Sequence, residues 1–301
     1  MVNISETSFI SWSKGPAKTE SEKCENAERM VRKAIKADIH LANLDISVFA
    51  QGSYRARTNV RQNSDVDICI RYNSVFFADY PEGTTDATFG NMNATLKFAD
   101  FKDMLGQALV NYFGEDGVTR GNKAFDVHAN TYRIDADVVP TFERRRYTGT
   151  RNADGTPHYL SGVAFKPDNG GLIENWPHQT YHNGVWRNLN TGRKYKRIIR
   201  ILKRLRDKMQ SENIAEAKNF SSFLVECLVW NAEIEAFSYD TYTAIIRHII
   251  ADLWNRIQRN IDCLKWGEVN ELKYLFCPSQ PWTRQQANDF LQAAWDYIGY
   301  T

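Results

Sequence analysis

QGSYRARTNVRQNSDVD, residues 51–67, opens on a glycine–serine turn and closes on two aspartates one residue apart. Before it, ISVFA has the β-branched and aromatic composition of a strand and breaks at Gly52. After it, VDICIRY (66–72) alternates Val66, Ile68 and Ile70 against Asp67, Cys69 and Arg71, which predicts a second strand. Residues i and i+2 of a strand share a face, so Asp65 and Asp67 project together. Two unscreened carboxylates repel, and one is driven toward its protonated form. A divalent cation removes that conflict: Mg2+ prefers oxygen ligands and takes one or two carboxylates along with substrate phosphates. The plain alternative is a solvated turn in which Asp65 caps the chain.

The Gly–Ser pair adds weight to the cation reading. Gly52 permits close backbone approach, the amides of a following helix start can hold phosphate, and the Ser53 hydroxyl adds a donor. A third carboxylate comes from RIDADVVPTF (133–142), where Asp135 and Asp137 share one strand face and Ile134, Ala136 and Val138 the other. In-line nucleotidyl transfer needs a clamp on the attacking and leaving oxygens and a group that takes the hydroxyl proton. Two aspartates holding cations and a third beside the hydroxyl meet that need. At least one of Asp135 and Asp137 is then an ordinary strand residue.

Along the chain, 19–44 has a helical apolar period, with Thr19 and Glu22 fitting a capping box. Residues 73–99 read as a long irregular connection punctuated by Pro81, Gly83 and Gly90. A helix follows over 100–114, then an antiparallel strand pair, KAFDVHA and TYRIDADVVPTFERRRY, around Asn130. Residues 149–192 are rich in Gly, Asn, Pro and His and carry only short strand-like pieces. The Pro and Gly near His178 and His182 argue for loop there, and against metal ligation by that pair. Further helices are expected over 193–210, 216–236, 240–260 and 284–298. The fold class is α+β: a bilobal molecule with a mixed or antiparallel sheet, flanking helices and a C-terminal helical lobe, divided as 1–190 and 191–301.

Nine of the sixteen residues from Arg193 to Lys208 are Lys or Arg, although the chain as a whole carries only +2. Ile198, Ile201/Leu202, Leu205 and Met209 form an apolar stripe there, while Lys196, Arg200 and Lys203 form a separate basic row. Such a row is usually a solvated face, but its density suits a polyphosphate cleft. Arg144, Arg145 and Arg146 could also reach phosphates, and Tyr72, Trp176 and Tyr181 could stack on a base, though packing is the ordinary role of each. With 38 basic and 36 acidic residues, the chain is not a protein that coats nucleic acid over its whole surface. Its five cysteines show no C-x-x-C pair or zinc-finger spacing, which predicts buried free thiols. No basic and apolar leader and no run of about 20 apolar residues is present, so a cytoplasmic protein away from membranes is expected.

Taken together, QGSYRARTNVRQNSDVDICIRY and IDADVVPTF resemble the nucleotidyltransferases typified by DNA polymerase beta. More closely, the chain resembles the branch containing oligoadenylate synthetase and cyclic GMP-AMP synthase. RIIRILKRLRDK is similar to that branch's triphosphate-lysine helix, and SSFLVECLVWNAE to its nucleotide-side helix start. The likeness spans about residues 20–240. It implies a polymerase-beta-like fold, with Asp65, Asp67 and Asp137 as the catalytic and metal-holding acids. It further implies Gln51, Gly52 and Ser53 as the phosphate turn, Lys203 as the triphosphate lysine, and Ser222 and Phe223 at the nucleotide. No His/Cys cluster provides the animal DNA-sensing zinc insertion, so the chain looks like the bacterial CD-NTases of anti-phage (CBASS) signalling. The resemblance implies two Mg2+ ions, with Mn2+ able to substitute, and NTP substrates with ATP among them. It also implies a cyclic di- or trinucleotide product and a downstream effector that the product activates. The rival readings are NMP transfer to a protein or RNA end by the same site, and a catalytically inactive nucleotide-binding scaffold.

Overall fold

The computed structural model describes residues 4–60, 65–259 and 262–300. The quoted positions 61–64, including the turn expected just before Asp65, lie outside the described residues. Two compact units are present: residues 17–54 with 65–178, and residues 4–16 with 55–60 and the described part of 179–300.

The first unit is built on a seven-stranded sheet. Helix α2 (Lys18–Ala37) leads into β1 (Ile46–Ala50), then the first three residues of the short α3 (Gly52–Ala56), and β2 (Val66–Asp79). Helix α4 (Phe98–Phe113) precedes β3 (Val118–Arg120), β4 (Phe125–Val127), the long β5 (Ala136–Arg151), β6 (Pro157–Phe165) and β7 (Ile173–Asn175). The path runs β1-β2-β5-β4-β3, with β6 on β5 and β7 on β6. Among the described residues only β2 and β5 pair in parallel. One edge of β5 takes β2; the other takes β4 along Ala136–Val138 and β6 further on. Ile68, Ile70, Ala136 and Val138 are fully buried with Phe101, Leu105 and Leu109 of α4 and Ala27 and Val31 of α2. Both central strands therefore have one face committed to the helices, and their polar alternates are left for the other face.

Three local expectations need correction. Helix α2 begins after Ala17, with no side-chain cap, so Thr19 lies inside the helix and the capping box does not form. Strand β2 runs seven residues past Tyr72, through a register shift between Tyr72 and Phe76, so the irregular connection starts at Tyr80. That connection is pinned by ring packing of Tyr80, Phe89 and Tyr147. Residues 149–192 hold β6, β7 and a full helix, α5 (Pro177–Asn190). Pro177 stands at the first helical position, where its missing N–H costs nothing and its fixed φ favours the helix.

The helical unit contains α1 (Glu6–Trp12), all but the first two residues of α5, α6 (Tyr195–Ser211), α7 (Ser222–Trp230), α8 (Tyr242–Gln258) and α9 (Arg284–Ile298). Ile198, Ile199, Ile201 and Leu205 of α6 are wholly buried. Each such side chain contributes about 1.5–3 kcal/mol of burial, which fixes which face of α6 turns inward. Helix α7 is shorter than expected because Ser221 caps it, its Oγ accepting from the N–H groups of Phe223 and Leu224. All five cysteines are free thiols, four of them buried. No helix among the described residues is long and apolar enough to cross a membrane.

Candidate active site

Strand β1 reaches its end at Gln51, whose N–H donates to the Asp67 carbonyl at 2.8 Å and adds one more rung to the β1–β2 ladder. The next residue, Gly52, has φ +64°, the left-handed region that a glycine enters without strain. It also faces Asp67 so closely that a Cβ would lie 2.1 Å from Asp67 Oδ2. Gly52 is therefore required twice, by the turn and by the carboxylate. Ser53 follows in the five-residue α3, half-buried.

The sheet register assembles the acids. Asp67 and Asp137 are direct partners across β2 and β5, and Asp126 is the direct partner of Asp137 across β4 and β5. Their neighbours Val66, Ile68, Ala136, Val138, Phe125 and Val127 are all buried in the core against the helices. The three carboxylates thus stand in a row on the opposite face, and Asp65 precedes Asp67 by two residues. Asp137 has its pKa raised by burial and then by the charges of Asp65 and Asp126. Burial also raises that of Asp65, followed by the charges of Asp135 and Asp126. Asp135 takes a structural part as well, its Oδ1 accepting from the Ala129 N–H at 2.5 Å to close the turn before β5.

Among the described residues no group of three or more His, Cys, Asp or Glu side chains is arranged to hold a metal ion. What the strands do collect is a set of hard oxygen donors, of which Asp65 and Asp137 are made reluctant to ionise by burial and by neighbouring charges. That donor chemistry fits a hard divalent cation. Asp126 is absent from the sequence reading. The available signal was its place between two apolar residues of KAFDVHA, a strand expected to pair with the one carrying Asp137.

In the helical unit the basic row of α6 divides. Arg200 donates from Nε to Ser13 O at 2.8 Å and from Nη1 to Arg57 O at 2.7 Å. Burial, followed by the charge of Arg197, pushes its pKa down to about 10. The Lys196 ammonium lies 5.7 Å from the Tyr181 ring, which Arg55 also approaches at 5.2 Å. Burial and then the charge of Arg57 lower the Lys196 pKa. Lys203 is different: 2% exposed, it is ion-paired with Glu226 of α7. Ser222 is the first residue of α7, and Phe223 packs at 6.1 Å from Trp282. The other candidates are taken up by the sheet unit itself. Tyr72 packs on Phe101, and Trp176 is 1% exposed beneath Arg146. Arg144 pairs with Glu174 at 2.5 Å, Arg145 with Glu143 at 2.7 Å, and Arg146 with Asp79 at 3.3 Å.

Comparison with known proteins finds relatives that match along nearly the whole chain. A family profile, the cGAS/DncV-like nucleotidyltransferase C-terminal helical domain, matches residues 182–299. The chain is 45% identical to the cyclic dipyrimidine nucleotide synthase CdnE of Legionella pneumophila, over 97% of each chain. It is 39% identical to the cyclic dipyrimidine nucleotide synthase CdnE of Cecembia lonarensis, over 100% of each. Among solved structures, the CdnE cyclic dinucleotide synthase of Elizabethkingia meningoseptica with GTP and Apcpp superposes with a TM-score of 0.81. That pair is 35% identical, with 99% of this chain and 100% of the other covered.

Proposed function

Since the chain belongs to the CD-NTase family of cGAS/DncV-like nucleotidyltransferases, closely related to the CdnE synthases of CBASS, we propose that it joins two nucleoside triphosphates into a cyclic dinucleotide. The observation that carries this reading is the row Asp67–Asp137–Asp126 set against the Gly52 turn. Two relatives that span nearly the whole chain are named as dipyrimidine synthases, so UTP and CTP are the favoured substrates, ahead of ATP. The product would act in the bacterial cytoplasm on an effector of anti-phage defence.

In this mechanism Gly52 and Ser53 receive the phosphate tail of the donor. Asp65, Asp67 and Asp137 would hold Mg2+ ions, which when bound neutralise the triphosphate and the charge that develops on it. Asp137 lies in the middle of the acid row, where it accepts the proton of the acceptor ribose hydroxyl. The freed oxygen forms a bond to the donor α-phosphorus, the bond from that phosphorus to the bridging oxygen breaks, and pyrophosphate leaves. A second turn of the same step closes the ring.

The test is mass spectrometry of products from the four NTPs with Mg2+. Ring-closed dinucleotides that resist phosphatase are expected from the wild type, and none from Asp65→Ala/Asp67→Ala. Label found only on protein or RNA ends would replace this reading with NMP transfer. Substantial synthesis by the double variant would remove the acids from the mechanism.

A further inference from the structure

Asp126 joins the acid row only because β4, three residues long, is held in one register against β5. A slip of one residue would turn Asp126 toward the helices and put Phe125 or Val127 in its place. The β3–β4 turn that sets this register is gripped by α4. Lys102, 1% exposed, donates from Nζ to the carbonyls of Gly121 and Asn122 at 3.2 and 2.9 Å. It donates as well to Asp168 Oδ1 at 2.8 Å, and Arg120 of β3 bridges Asp168 to Asp103 of α4. The Asp168 N–H closes the clamp on Asn122 O at 3.0 Å. One turn further along α4, on the same face, a Cβ at Gly106 would lie 2.7 Å from the Phe125 ring. Helix α4 thus holds both the turn and the residue next to Asp126. Burying an ammonium is costly unless it is fully paired, and an apolar side chain would often fill such a place at less cost. Lys102 is better explained by what its bonds fix than by stability.

We propose that Asp126 strengthens cation binding at the acid row, and that Lys102 is its positioning residue, fixing the β3–β4 turn so that Asp126 stands beside Asp137. The use of that cation in nucleotidyl transfer rests on the reading above. Its binding, and the part Lys102 plays in it, can be measured without turnover.

The Mn2+ affinity of the full chain, read from the paramagnetic resonance of the free ion, decides it through a double-mutant cycle. Asp126→Asn should weaken Mn2+ binding about tenfold, because affinity follows the charge of the site. Lys102→Met should lower the melting temperature and weaken Mn2+ binding by a similar factor of about ten. The double variant Lys102→Met/Asp126→Asn should bind no more weakly than Asp126→Asn alone, since the lysine then has nothing to position. A purely structural lysine predicts a lower melting temperature with unchanged Mn2+ affinity, and that result overturns the proposal. Losses that add in the double variant overturn the route through Asp126.

If the wild type binds Mn2+ but makes no nucleotide product, the nucleotidyltransferase reading fails alone, and the affinities still judge Lys102. A wild type that does not bind Mn2+ overturns the proposal. If Lys102→Met does not fold, Asp168→Asn takes its place, because it loosens the clamp from a side chain that is 42% exposed. It should weaken Mn2+ binding by a smaller factor, and not at all when Asp126→Asn is already present. Unchanged affinity in the single variant overturns the proposal.

Discussion

Asp67 Oδ2 occupies the space a side chain at Gly52 would need, with a Cβ there standing only 2.1 Å away. The contact joins the end of β1 to the start of β2, where Gln51 and Asp67 also share a backbone hydrogen bond of 2.8 Å. Gly52→Ala therefore does two things at once. It places an L side chain at φ +64°, at a cost of roughly 1–2 kcal/mol, and it drives the Asp67 carboxylate out of its position. The fold should survive, with a modest fall in melting temperature, while product formation falls about a hundredfold. An alanine variant that turns over at the wild-type rate would show that the carboxylate's position does not matter.

The acid row sets a pH dependence whose sign follows from the raised pKa values of Asp65 and Asp137. The folded protein holds these protons more tightly than the unfolded chain does. Their favourable contribution is complete below the unfolded value, near 3.8, and is lost as pH rises through the raised one. At neutral pH the ionised acids oppose folding. Asp137→Asn should accordingly melt higher than the wild type at pH 7, and the gap should close toward pH 4, while synthesis is abolished. Melting curves across that range check the sign; a variant that melts lower at pH 7 would contradict it.

A bound cation should relieve the same repulsion. Binding to the native state alone raises stability by about 2.7 kcal/mol at a hundred times Kd. Mn2+ should raise the wild-type melting temperature, and Asp67→Asn should lose that rise. Asp126→Asn should keep a reduced part of it, because Asp126 adds charge beside Asp137 without adjoining the Gly52 turn. The readout is the melting shift on titrating the metal, independent of turnover. An equal shift in all three proteins would place the cation elsewhere.

The parts legible in the sequence are those whose meaning lies within a few residues. Gly52–Ser53 and Asp65–Asp67 declare themselves by spacing, because a strand's period of two puts i and i+2 on one face. The apolar stripe of α6 is equally plain, since 3.6-residue periodicity is local too. Asp126 was only partly legible: its strand and the partner strand could be read, but the register of that three-residue strand, which sets it opposite Asp137, is encoded by nothing nearby. The inward turn of Lys203 depends on Glu226 and Thr58, far away along the chain. In α5, Pro177 punctuates the sequence whether a helix ends or begins there, and only the packed chain shows that it begins.

The N-terminal helix offers a stability test away from the chemistry. Glu6 caps α8: its Oε1 accepts from the Tyr242 N–H at 2.8 Å, and its Oε2 from the Thr243 N–H at 2.7 Å and the Thr243 hydroxyl at 2.6 Å. Burial alone would raise its pKa, but the Thr243 hydroxyl and the two backbone donors together outweigh it and hold the carboxyl below its usual 4.5. The sign is therefore opposite to that of the acid row. The stabilisation is present above the unfolded value of 4.5 and disappears as pH falls through the lowered folded one. Glu6→Ala should cost about 1–2 kcal/mol at pH 7, as for loss of a helix cap. Glu6→Gln should cost less, because its amide oxygen still accepts. Denaturant melts at pH 7 and below pH 4 should show the penalty of each substitution shrinking on acidification. A penalty that does not change with pH would mean that α1 is held by Phe9 in the apolar core and not by the charge of Glu6.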